Sequence, residues 1–311
     1  MAISEQIRAL CTQKNAIILA HYYQRPEIQD VADFIGDSLA LAQQAAKTNA
    51  NILVVCGVHF MAETAKILCP DKKVLIPDPT AGCSLADSCK AEDLAAWKAQ
   101  HPDYQVVSYV NTSAAVKALT DVVVTSSNAL KIVNRLPEDA KILFGPDQNL
   151  GHYINSVTGR NMALWDGCCH VHSRFSVEAL LALKQQYPNA KVLAHPECKQ
   201  VILKLADVIG STQAILNYVK AHPDQKDFIV VTESGILHEM RKACPEANLI
   251  PVPPEMTEGV GCSCNECEYM RQNTLEKLLD CLQHESNEVN VPAEVAMKAL
   301  LPIQKMLDWS K

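Results

Sequence analysis

The run Ala16-Ile17-Ile18-Leu19-Ala20, broken at once by His21-Tyr22-Tyr23, decides the fold class. Five consecutive apolar residues are too few for a buried helix. They suit a strand covered on both faces, the habit of parallel sheets. The same cadence recurs along the chain. Asn51–Val55 and Lys73–Pro77 complete a first set; Gln105–Val110, Asp121–Ser126 and Lys141–Gly145 form a second. Lys191–His195, Asp207–Ser211, Asp227–Thr232 and Asn248–Val252 form a third. Between them lie helix-period segments such as Ser38–Lys47, Ser113–Thr120 and Ser176–Pro188. Strands alternating with helices build βαβ units. The layout predicts an α/β chain of three such units, over residues 1–97, 98–178 and 179–311. After Pro292 a terminal amphipathic helix is expected over about 293–309. No residue-by-residue likeness between the three units stands out.

In open parallel sheets, ligands bind beyond the carboxyl ends of the strands. There the sequence places His21 and Tyr23, then His59, then Tyr109 and Asn111. Ser126, Ser127, Asn128 and Asp147 follow, and His195, Glu197, Ser211, Thr212 and Glu233 close the third set. Any one of these has an ordinary structural explanation, since Ser and Asn often cap helices. Three sets sharing one pattern on one sheet edge point to a site.

The 311 residues are 48% apolar and 20% charged, which is globular and too long for one compact core. Lys+Arg 28 against Asp+Glu 35 gives a net charge of -7 without a basic block, which argues against nucleic acid or an anionic membrane as partner. No apolar stretch is long enough for a membrane span. Met1–Lys14 does not read as an export signal, so a cytoplasmic protein with reduced thiols is expected. Neither G-x-G-x-x-G nor G-x-x-x-x-G-K-[ST] occurs, which removes the two standard phosphate cradles.

In that setting the 13 cysteines are the unusual feature. Cys11, Cys56, Cys69, Cys198, Cys244 and Cys281 sit in apolar or helical contexts and read as small buried hydrophobes. The rest cluster in three places: Cys83 with Cys89, Cys168 with Cys169, and Cys262, Cys264 and Cys267. Structural zinc wants close ligand pairs, and Cys264-x-x-Cys267 supplies one. Adjacent Cys168 and Cys169 make a poor second. Iron–sulfur ligation tolerates wide spacing, and three thiolates on a [4Fe–4S] cluster leave one iron for substrate. Spacing alone leaves iron–sulfur, zinc and inert thiols as alternatives.

At these residues the sequence resembles the quinolinate synthase family, iron–sulfur enzymes of NAD biosynthesis. The matching segments include Ala20-His21-Tyr22-Tyr23-Gln24, Gly36–Leu39, Cys56–Thr64, Pro79–Cys83 and Tyr109–Thr112. They continue through Thr125–Ala129, Gly145–Gly151, Trp165–His172, His195–Cys198, Gly210–Thr212, Thr232-Glu233 and Cys267–Lys277. The resemblance implies three αβα sandwich domains about a pseudo-threefold axis, with the active site at the shared centre. It implies a [4Fe–4S] cluster on Cys83, Cys169 and Cys267, which leaves Cys89, Cys168, Cys262 and Cys264 as non-ligands.

The implied reaction condenses iminoaspartate with dihydroxyacetone phosphate to quinolinate, with loss of phosphate and water. His21, His195, Ser38, Ser126, Ser211 and Thr212 would bind carboxylate or phosphate oxygens. Tyr23 and Glu197 would move protons, Tyr109 with Asn111 would position the intermediate, and His172 would act as base or anchor. Contacts with L-aspartate oxidase and with iron–sulfur assembly proteins are implied as well. Two departures stand out: Cys262-x-Cys264-x-x-Cys267 replaces an evenly spaced triple, and Glu268 occupies a position usually held by proline.

Overall fold

The computed structural model describes residues 2–255 and 265–311. Within them, twelve strands form three four-stranded parallel sheets. The first holds β1 (Ala16–His21), β2 (Phe34–Gly36), β3 (Ile52–Cys56) and β4 (Lys73–Leu75) in the order β2-β1-β3-β4. The second holds β5 (Tyr104–Tyr109), β6 (Val122–Val124), β7 (Lys141–Gly145) and β8 (Ala163–Leu164) in the order β6-β5-β7-β8. The third holds β9 (Lys191–Ala194), β10 (Val208–Ile209), β11 (Asp227–Val231) and β12 (Asn248–Pro251) in the order β10-β9-β11-β12. Helices between the strands complete three αβα units. All ten strands read from the sequence are present. The two it does not reveal, β2 and β8, hold one β-branched residue and none, whereas the equally short β6 and β10 are built of Val and Ile.

The three units share one local device. Ile18, Val106 and Val192, each in the opening strand of its sheet, donate their N–H to Asp33, Asp121 and Asp207 at 2.7, 2.7 and 2.8 Å. The aspartate stands fifteen residues downstream every time. Its own N–H returns to the same residue's carbonyl, at 3.0, 3.0 and 2.9 Å. This reciprocal pair satisfies backbone groups at the base of the sheet and fixes where the second strand begins.

Strand side chains from all three sheets meet in one contiguous apolar core, in which Leu53, Val107 and Leu193 are all fully buried. Each such side chain is worth about 1.5–3 kcal/mol relative to exposure. The late helices do not stay with the third sheet. Leu275–His284 packs on the helix Ile3–Lys14, and Ala293–Ser310 lies across β6 and the short helix Ala114–Lys117. The chain therefore folds back over its first two units.

Candidate active site at the junction of three sheets

The carboxyl ends of the sheets face a common cavity of about 720 Å³, counting its open mouth, a size suited to a small ligand. The shared device numbers its walls. The third residue after Ile18, Val106 and Val192 is His21, Tyr109 and His195; the fifth is Tyr23, Asn111 and Glu197. The fifth residue after Asp33, Asp121 and Asp207 is Ser38, Ser126 and Thr212. All nine line the cavity, together with Cys83, Cys169, Cys267 and His172. Of the strand-end candidates, Ser127, Asn128 and Asp147 lie off the wall, and of the residues given a binding or catalytic role every one is brought together except Ser211. Its Oγ instead accepts the Ala214 N–H at 3.2 Å and caps the helix Thr212–Ala221. Asp37, its counterpart one residue before Ser38, caps in the same way. His59, another strand-end candidate, heads the helix His59–Leu68 outside the cavity wall.

Buried polar groups must be paired, and here they pair across units. The Tyr109 hydroxyl donates to Glu197 Oε1 at 2.5 Å, and His172 Nδ1 lies 3.0 Å from Glu197 Oε2. Burial works against a charged Glu197, yet the His172 imidazole and the Tyr109 hydroxyl hold its carboxyl well below the usual range. The Tyr23 hydroxyl sits 2.7 Å from Thr212 Oγ1 and 2.9 Å from Thr232 Oγ1, and burial keeps the phenol protonated. Burial also pushes His21 and His195 down to about 3, so both imidazoles are neutral at physiological pH. His195 Nε2 lies 3.3 Å from Ser126 Oγ. No lysine or arginine lines the cavity among the described residues.

The three thiols share a second device. Each cysteine immediately precedes, or lies within three residues of, a short helical turn: Ser84–Asp87, His172–Arg174 and Met270–Gln272. Cys83 Sγ accepts the N–H of Leu85 and Ala86, Cys169 Sγ that of His172, and Cys267 Sγ those of Tyr269 and Met270. Burial nevertheless pushes Cys83 up to about 11, Cys267 to about 12 and Cys169 well above its ordinary value. Burial thus favours the protonated thiols, while the N–H···S bonds favour the thiolate. The backbone around two of them is anchored by buried carboxyls. Asp147 accepts the Cys169 N–H and Glu233 accepts the Cys267 N–H, both at 3.0 Å. Burial pushes Glu233 up to about 8, against the opposing Arg271 guanidinium.

Among the described residues, the other cysteines of the three clusters do not reach the cavity wall. Cys168 is absent from it, and Cys89 is buried in an apolar cluster with Leu94 and Val106. Cys262 and Cys264 lie outside the described residues. Three cavity residues beside the wall cysteines went unread in the sequence. Ser84 Oγ is 2.7 Å from His170 Nδ1, and the His170 ring meets Tyr269 edge-on at 5.7 Å. Their only signal is position, one or two residues past Cys83, Cys169 and Cys267. Among the described residues, ligand atoms of Cys169, His172 and Glu197 also lie within 4.8 Å of one another, close enough for a single ion.

A family model described as quinolinate synthetase A protein matches residues 5–308. Relatives named quinolinate synthase include one from Thermosynechococcus vestitus, 56% identical over 98% of this chain and 94% of its own length. Another, from Prochlorococcus marinus strain MIT 9303, is 56% identical over 98% of this chain and 90% of its own. A third, from Chloroherpeton thalassium, is 54% identical over 99% of this chain and 94% of its own.

Proposed function

The chain belongs to the quinolinate synthetase A family, and on that premise we propose that its cavity joins iminoaspartate to dihydroxyacetone phosphate, releasing phosphate and water as quinolinate forms. The protein is an enzyme of quinolinate formation and hence of NAD biosynthesis. A metal cofactor belongs with that activity. The observation that carries a [4Fe–4S] assignment is the donor set: three thiols on one cavity, one per unit, each accepting backbone N–H bonds from its own helical turn. Cys83, Cys169 and Cys267 would hold the cluster, which supplies an iron free of protein ligands as a Lewis acid for a substrate oxygen.

The rest of the chemistry falls to this chain's side chains. Anionic substrates meet neutral donors: the hydroxyls of Ser38, Ser126 and Thr212 and the imidazoles of His21 and His195. Glu197, ionised and oriented by Tyr109 and His172, accepts a proton; Tyr23, protonated and held by Thr212 and Thr232, returns one. The buried Asn111 Oδ1 has no hydrogen-bond partner and lies on the wall, open to an N–H or O–H of the ligand. The domain boundaries 1–97, 98–178 and 179–311 give each unit one sheet and one ligand cysteine.

Among the described residues no helix is long and apolar enough to cross a membrane. A cytoplasmic setting is part of the proposal, with iminoaspartate supplied by L-aspartate oxidase and the cluster by assembly proteins. The test is anaerobic: purified protein given both substrates should produce the ultraviolet spectrum of quinolinate and contain about four irons with matching sulfide per chain. One zinc without sulfide would remove the cluster and favour the Cys169, His172 and Glu197 group.

A further inference from the structure

Two buried polar side chains take no part in the chemistry above, and they occupy equivalent places. Gln29 and Lys117 stand the same number of residues beyond Ile18 and Val106, and both are almost completely buried, at 1% and 0% exposure. Gln29 Nε2 donates to the carbonyls of Tyr22 at 3.0 Å and Gln24 at 2.8 Å, the two that flank Tyr23, and reaches the Gly235 carbonyl at 3.0 Å as well. Lys117 Nζ donates to the carbonyls of Val110 at 2.8 Å and Thr112, the two that flank Asn111. Tyr23 and Asn111 are themselves equivalent wall residues. One grip is therefore built twice, once with an amide and once with an ammonium. In the third unit the matching residue is Leu203, and Glu197 is held from outside by Tyr109 and His172 instead.

Burying a lysine is costly without a carboxylate partner, and no ion pair to Lys117 forms among the described residues. Its ammonium also lies over the face of Phe60, 5.3 Å from Nζ, and within electrostatic reach of Glu63 and Cys83 without pairing to either. Surface helices use lysine freely, so a fully buried one that serves only two carbonyls marks those carbonyls as worth fixing.

We infer that Lys117 and Gln29 are positioning residues, each gripping the carbonyls on either side of a cavity residue and so setting how Asn111 and Tyr23 face the ligand. The kinetic part rests on the reading of the cavity as a quinolinate-forming site.

The test uses cluster-loaded enzyme handled anaerobically, with Lys117→Met removing the donor at nearly constant volume and Lys117→Gln copying the first unit. Lys117→Met should weaken quinolinate binding and raise KM by about tenfold, with cluster absorbance retained; Lys117→Gln should stay within about threefold of the parent. In an Asn111→Ala background, Lys117→Met should add less than about twofold, because the two residues act as one. Hydrogen exchange at the amides of Asn111–Ser113 reads the grip without any ligand, and should speed up in Lys117→Met and not in Lys117→Gln.

Unchanged binding, KM and exchange in Lys117→Met would overturn the inference. So would a Lys117→Gln protein as impaired as Lys117→Met, which would assign the role to charge, or failure of both variants to fold, which would assign it to the core. Parent enzyme that neither binds nor makes quinolinate would refute the functional reading, while the exchange result would still decide the grip.

Discussion

Tyr109, at the end of the opening strand of the second sheet, donates its hydroxyl to Glu197, just past the opening strand of the third, at 2.5 Å. The bond joins two units at the cavity wall and feeds a carboxylate that His172 holds from its other side. Removing the hydroxyl leaves Glu197 Oε1 short of a charge-assisted bond worth about 1.5–3 kcal/mol. Tyr109→Phe should therefore lower kcat by about ten- to hundredfold with folding intact, measured as anaerobic quinolinate formation. A rate equal to the parent's would show that the bond does not serve the reaction.

The cysteines divide cleanly. Cys83→Ala, Cys169→Ala and Cys267→Ala should each abolish the visible absorbance and the bound sulfide. Cys168→Ala should keep both. Cys89→Ala should keep the absorbance while losing about 1 kcal/mol of stability, because its side chain fills an apolar cluster. Loss of absorbance in Cys168→Ala with retention in Cys169→Ala would shift the ligand register by one residue.

Adjacent Ser211 and Thr212 should respond to different measurements. Ser211→Ala removes a helix cap and should cost about 1 kcal/mol in urea unfolding, with little change in kcat. Thr212→Val removes one of the two partners of the Tyr23 hydroxyl and should depress activity more than stability. The reverse assignment of effects would return Ser211 to the ligand site.

The repeated aspartate device gives a prediction that spans the molecule. Asp33→Ala, Asp121→Ala and Asp207→Ala each strip one acceptor from a strand N–H and should each cost about 0.5–1.5 kcal/mol. Unfolding midpoints in urea would compare the three directly. A loss confined to one unit would break the equivalence.

Glu285 carries an acid-side prediction. Bonds from Lys14 at 2.7 Å and Lys73 at 2.5 Å pull its carboxyl down to about 2. A depressed carboxyl stabilises the fold above its unfolded pKa, near the ordinary 4.5, and that contribution fades as pH falls toward 2. Glu285→Gln should flatten thermal stability between those pH values, with the difference shrinking in high salt.

The sheets were legible because their strands are buried on both faces and spell out apolar runs. β2 and β8 were not, because Phe34-Ile35-Gly36 and Ala163-Leu164 lack the β-branched run that marks the equally short β6 and β10. The equivalence of the units escaped sequence reading because it lives in one aspartate per unit, spaced too widely to read as a motif. Once Asp207 is aligned with Asp33 and Asp121, Thr212 falls beside Ser38 and Ser126, and Ser211 falls with the cap. Counting from that aspartate would have separated the two from sequence alone. Lys117 had no such signal. Within Ala114–Lys117 it looks like a solvent-facing helix residue, and only the packing of Phe60 and the carbonyls of Val110 and Thr112 reveals otherwise.

The return of Leu275–His284 to the helix Ile3–Lys14 sets an order of events during synthesis. Ile7 and Cys11 on the early helix share one apolar cluster with Ile18 and Val54 of the first sheet and with Leu278, Cys281 and Leu282, so part of that helix's apolar face closes only when residues far along the chain arrive. Contacts this distant in sequence form late and slow folding. The early helix thus docks on its own sheet first, and the seal over its far side comes from Leu275–His284.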